Sequence, residues 1–133
     1  MVRVSRLAVA VLVSVVVSGV ARAQEVDCSD PQNQMEINIC ADQDWQAQDA
    51  RLNDEYQSAM DRAKEFDAGG YSEDSAVAAL KTAQRAWLPF RDGNCAAEAF
   101  AMKGGSGESM IYSGCMAAMT ATRADELAAW MSY

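Results

Sequence analysis

Apolar residues recur at helical spacing in three stretches of the chain, and nothing alternates as a strand would. The first stripe runs Ile37, Ala41, Trp45, Gln48, Leu52, Tyr56, Ala59, Ala63 and Phe66, a 3.6-residue period sustained over about eight turns. Asn33 is placed to cap this helix, Glu36 to complete a capping box three residues on, and Gly69-Gly70 to end it. The second stripe is Val77, Leu80, Ala83, Trp87 and Phe90. Ser72 is its expected cap, with Glu73 and Asp74 in the first turn, where the helix dipole favours negative charge. Pro89 cannot supply the donor for the Arg85 carbonyl. Because the stripe has support on both sides, a kink near Arg85 to Pro89 is predicted rather than an end, with the helix running on to about Met102. A third helix is predicted from Ser109 or Met110 to Trp130, with Ile111, Cys115, Met119, Thr122, Glu126 and Trp130 along one side. The pattern predicts one all-α domain, a small three-helix bundle running up, down and up.

The first 23 residues read as a signal peptide and not as part of that bundle. Arg3 and Arg6 make a basic start, Leu7 to Val20 is an apolar run short for a membrane span, and Ala21-Arg22-Ala23 offers small residues for cleavage. The mature domain is then 24–133, exported to the periplasm or secreted, and no later segment is apolar enough to cross a membrane. All 19 Asp and Glu lie in that part, whereas Arg3, Arg6 and Arg22 leave with the signal. Eight of the 11 Lys and Arg then face 19 acids, a net of −11. Nucleic acid and anionic lipid call for a basic footprint and are disfavoured as partners; a cationic protein or peptide would be steered toward such a surface. Acidity of this kind also serves solubility alone.

Cys28, Cys40, Cys95 and Cys115 all lie in the mature part, and an even count in a short exported chain implies two disulfides. Zinc is disfavoured, since the chain has no histidine and no Cys-x-x-Cys pair. An up-down-up topology gathers all four cysteines at one end of the bundle. Three pairings are open; Cys95 with Cys115 and Cys28 with Cys40 are preferred because each closes a local loop.

A polar row runs beside the apolar face of the second helix. Gln84 and Arg91 are set among Leu80, Ala83, Trp87 and Phe90, and a buried guanidinium must find partners on neighbouring helices. Glu36 and Asn38, near the start of the first helix, are expected at the level of Arg91. A Glu36 to Arg91 ion pair is predicted, with Arg123 on the third helix as a second candidate partner. Asn53, Tyr56 and Gln84 would continue this seam toward the middle. A structural role is the better reading for all of these positions, and Trp87, in mid-stripe, is read as core.

The chain resembles the family of small exported domains named for the lysozyme inhibitor LprI. The resemblance rests on Cys28, Glu36-x-Asn38-x-Cys40-Ala41, Leu52-Asn53-x-x-Tyr56, Ala83-Gln84-Arg85-Ala86-Trp87-x-x-x-Arg91-Asp92-x-x-Cys95, Gly105-Ser106, Cys115, Thr122-Arg123 and Leu127, almost the whole mature chain. It implies an extracytoplasmic helical domain and, in one branch, activity against lysozyme. The name-giving protein is a lipoprotein, whereas no cysteine ends the apolar run here, so membrane anchoring is not carried over.

Three functions compete. The first is binding and inhibition of a lysozyme-type muramidase, a typically cationic target, with Lys103, Gly104, Gly105, Ser106, Gly107 and Glu108 as an adaptable loop that reaches a cleft. The plainer reading of that loop is a helix connector. The second is an envelope structural or interaction module without lysozyme activity. The third, an enzyme, is disfavoured: there is no histidine, and Asp42 with Asp44 and Asp61 with Glu65 read as solvated faces. Ser106 between glycines lacks both a base and the strand–turn–helix setting of an esterase nucleophile. No cofactor motif is present, and the oligomeric state is open.

Overall fold

A computed structural model describes residues 26–132; the signal reading of 1–23 and cleavage before Gln24 lie outside the described residues. Three helices carry the fold: α1 is Gln34–Gly69, α2 is Ala76–Ala99 and α3 is Glu108–Ala129, with a single 3-10 turn, Phe100–Met102, continuing α2. No strand occurs among the described residues.

Local chemistry sets the ends of α1. The Asn33 side chain accepts from the Glu36 amide at 3.0 Å, and Glu36 replies through the Asn33 side-chain amide (2.9 Å) and the Gln32 backbone amide (2.7 Å). The reciprocity is that of a capping box, with the returning bonds shifted off the Asn33 backbone. At the other end Gly70 is left-handed at φ 66°, and its amide reaches the Asp67 carbonyl.

The start of α2 differs from the expected one. Ser75, not Ser72, is the cap, accepting from the Ala78 amide at 3.2 Å, so Glu73 and Asp74 precede the helix instead of lining its first turn. The negative charge at this terminus comes from α1. Asp67 accepts from the Ala76 amide (2.7 Å), the Val77 amide (3.2 Å) and the Ser75 hydroxyl (2.7 Å). These bonds, led by the Ser75 hydroxyl, hold its carboxyl below the ordinary value. Ser72 makes a lesser turn, taking the Asp74 amide. Further along, α2 passes through Pro89 without ending.

Packing is uneven. α1 lies chiefly along α3, less α2 along α3, and least α1 along α2. The larger core joins Leu52, Ala59, Met60 and Ala63 of α1 to Leu80 of α2 and to Ala124 and Leu127 of α3, with Tyr56, Val77, Trp87 and Trp130 packed against it. A second cluster surrounds Cys95, Cys115 and Met116 under Trp45, Tyr112 and Met119. The stripes need two corrections. On α2, Ala83 and Phe90 are exposed, and the buried positions are Leu80, Arg91, Cys95 and Ala99. On α3, Thr122 and Glu126 are exposed, and the inward face is Ser113, Met116, Ala117, Thr120, Ala124 and Leu127. Small residues there let α3 approach α1 closely, which the larger side chains of the expected stripe would prevent.

Both preferred disulfides are formed: Cys28–Cys40 and Cys95–Cys115, each with Cα atoms 5.5 Å apart. The first closes the lead-in onto α1, and the second fastens α2 to α3. On the chain-entropy view each is worth about 3 kcal/mol. No helix among the described residues is long and apolar enough to cross a membrane.

Candidate functional site

The end of the bundle that carries the disulfides also carries the glycine turn, and here a groove of about 750 Å³ opens. Asn38, Asp42 and Trp45 of α1 form one wall, Ala96 and Ala99 of α2 another, and Glu108, Tyr112 and Ser113 of α3 a third, with Lys103, Gly104 and Gly105 at the lip.

The turn is held in a definite shape. Glu108, in the first turn of α3, accepts from Lys103 Nζ at 2.6 Å and from the Gly104 amide at 2.7 Å. The Lys103 ammonium, and then the Gly104 amide, hold this carboxyl below the usual carboxylate range. Gly104 takes φ 76°, a conformation side chains resist, and the Gly105 amide reaches back to the Met102 carbonyl at 2.8 Å. Asn38 ties the turn to α1: its Nδ2 donates to the Ser106 carbonyl at 2.8 Å, while its Oδ1 accepts from Gln34 at 3.0 Å. Gly107 is buried beneath Met102, whose Cε lies 3.1 Å from where a Cβ would stand. The six residues 103–108 thus form a braced projection.

Exposed apolar side chains crowd the same end. Met35 and Ile39 in the opening turns of α1, and Phe100 and Met102 in the 3-10 turn, are all exposed. They lie close in sequence to residues that line the groove, whose own lining includes Asp42 and Glu108. Trp45 contributes its ring edge-on to Tyr112 at 6.2 Å, and its indole N–H is buried with no partner among the described residues.

The polar seam is arranged differently from the predicted one. Arg91 is 6% exposed and bonds Asp92 at 2.9 Å, Thr120 Oγ1 at 3.2 Å and Asp49 at 3.4 Å. Glu36 is not its partner: it is committed to the start of α1, thirteen residues and so roughly 20 Å of helix from Asp49. Arg123 joins Gln84 at 3.1 Å and Glu126 at 2.8 Å. Asn53 is exposed, and with Tyr56, Gln84 and Arg91 it lines a second groove between α1 and α2. Trp87 is half-buried against the main core. Asp49, Asp67 and Thr120 escaped the sequence reading. Only a three-dimensional neighbour gives each its role, although Asp67, nine residues before the first residue of α2, has the residue type that a helix N-terminus selects.

A family profile described as "Lysozyme inhibitor LprI" matches residues 27–127. An uncharacterized protein of Rhizobium meliloti (strain 1021) is 44% identical over 111 residues, which covers 80% of each chain. No solved structure matches.

Proposed function

From the premise that the chain belongs to the lysozyme inhibitor LprI family, we propose that it is an exported, non-enzymatic domain that binds and inhibits a cationic lysozyme-type muramidase. The carrying observation is the coincidence, at the disulfide end, of a braced turn, an acid-lined groove and four exposed large apolar residues. Exposed apolar side chains are the usual anchors of a protein interface, and acids around them steer and orient a cationic partner. The turn pays little ordering entropy on binding, because Glu108 and Asn38 already hold it. The two disulfides suit an oxidising compartment.

The test is a muramidase assay on cell-wall substrate. The oxidised protein is titrated against c-type and g-type lysozymes at low and physiological salt, beside Asp42→Lys. Stoichiometric inhibition that salt weakens and Asp42→Lys abolishes, with melting unchanged, is the expected result. A folded protein that inhibits neither class would overturn the reading.

A further inference from the structure

The second groove, about 490 Å³ between α1 and α2, shares no lining residue with the first. It opens between the two helices of the bundle that pack least against each other. In a strongly acidic chain its charge is inverted. Asp49 is the one carboxylate in its lining, and Arg91 engages it at 3.4 Å. That leaves Lys81 and Arg85, one turn apart on α2, both exposed and both facing the groove.

These two cations stand apart from every other among the described residues. Arg51 pairs with Asp125, Lys64 with Asp61, Lys103 with Glu108 and Arg123 with Glu126, while Arg62 donates to the last carbonyls of α3. Lys81 and Arg85 have neither a carboxylate nor a carbonyl partner, although acids outnumber bases by 19 to 11 along the chain. Beside them are neutral hydrogen-bonding groups: the Asn53 amide, the Tyr56 hydroxyl and Gln84, whose Oε1 is taken by Arg123 so that its NH₂ remains to donate. Six of the nine lining residues, Leu52, Asn53, Tyr56, Gln84, Arg85 and Arg91, belong to the motifs that carry the family resemblance. An exposed, unbonded Asn53 does nothing for packing. A ligand would give it a role.

We propose that the groove between α1 and α2 binds a small carboxylate, with Lys81 and Arg85 taking the charge and Asn53, Tyr56 and Gln84 reading the polar groups beside it. The volume is that of a small-molecule site. A guanidinium next to an ammonium suits a carboxylate, one forked and the other a point charge. A sugar acid and an acidic peptide both present that group.

The oxidised protein, isotopically labelled, is titrated at low salt with N-acetylmuramic acid, with triglutamate and with N-acetylglucosamine as the uncharged control. Saturable NMR shifts centred on Asn53, Lys81, Gln84 and Arg85 are expected with a carboxylate probe and not with the control. Shifts with the sugar acid alone identify a saccharide ligand, with the peptide alone a peptide ligand, and with both a site that reads the carboxylate itself. Lys81→Gln with Arg85→Gln, both at exposed positions, should weaken binding about tenfold or more, as loss of charge-assisted bonds implies, with the melting temperature unchanged. No shift from either carboxylate, equal shifts from the control, or undiminished binding by the double variant would each overturn the proposal.

Discussion

The guanidinium of Arg91 lies 5.1 Å from the centroid of the Trp87 ring, one turn earlier on α2. Trp45 of α1 approaches the same group from 6.0 Å. The cation is therefore within reach of two indoles and bonded to Asp92, Thr120 and Asp49, which places one residue in contact with all three helices. Stacking and a planar donor fork suit arginine here and not lysine.

Arg91→Ala should consequently lower stability by about 2 to 3 kcal/mol, less than a fully buried pair would lose because Asp49 and Asp92 stay partly solvated. Thermal denaturation followed by circular dichroism should show a melting temperature roughly 10 to 15 °C lower. Arg91→Lys should recover under half of the loss. Impaired binding with unchanged melting would instead make Arg91 a recognition residue.

Replacing Asn53 by Ala should leave melting within about 0.5 kcal/mol of wild type, since the side chain is exposed and bonded to nothing among the described residues. A clear destabilisation would return Asn53 to a structural seam.

Removing the Cys95–Cys115 bridge by a double Cys→Ala change should cost about 3 kcal/mol, seen as a lower midpoint in urea. The Cys28–Cys40 bridge has a similar entropic value on paper, but the segment it closes is an exposed lead-in that can come away with the core intact. Its removal should cost distinctly less, and equal losses would refute that ordering.

Asp67 predicts an acid-sensitive junction. Its folded carboxyl titrates below the ordinary value of 3.8, so the folded state holds that proton less readily than the unfolded chain. The stabilisation is therefore complete above that ordinary value and disappears as pH falls through the lowered one. Asp67→Asn should melt below wild type at neutral pH, and the gap should close in strong acid. Ser72→Ala should show no comparable gap.

Much of the architecture was legible because its signals are local. Asn33, Glu36 and Gly69-Gly70 mark α1 within a few residues, and the helix order brings each cysteine near its neighbour in sequence. Ser72 and Ser75 are equally good caps on local grounds, and Asp67, folding in from α1, selects the second. Phe90 is large and apolar and so predicts an inward position, yet Arg91 is the buried residue, within reach of both indoles. The inner face of α3 is small, with Ser113, Ala117, Thr120 and Ala124, so its hydrophobic contrast is too low to phase the helix. At the candidate sites the glycines mark the turn but predict an adaptable one, and its bracing by Glu108 and Asn38 depends on contacts that spacing does not show. The charge inversion between α1 and α2 was not, because it depends on which acids the other cations have claimed.

The preference of α1 for α3 over its neighbour in sequence also orders assembly. The α1–α2 hairpin, first to be made, has little contact of its own, and the inward face of α1 at Leu52, Ala59 and Met60 waits for a helix that begins only at Glu108. Closing that long loop is the entropic hurdle of folding, and the Cys95–Cys115 bond shortens it once α2 and α3 are joined. The inward face of α1 is therefore covered mostly by the last helix, and a chain truncated before Glu108 would leave Leu52, Ala59 and Met60 without their main cover.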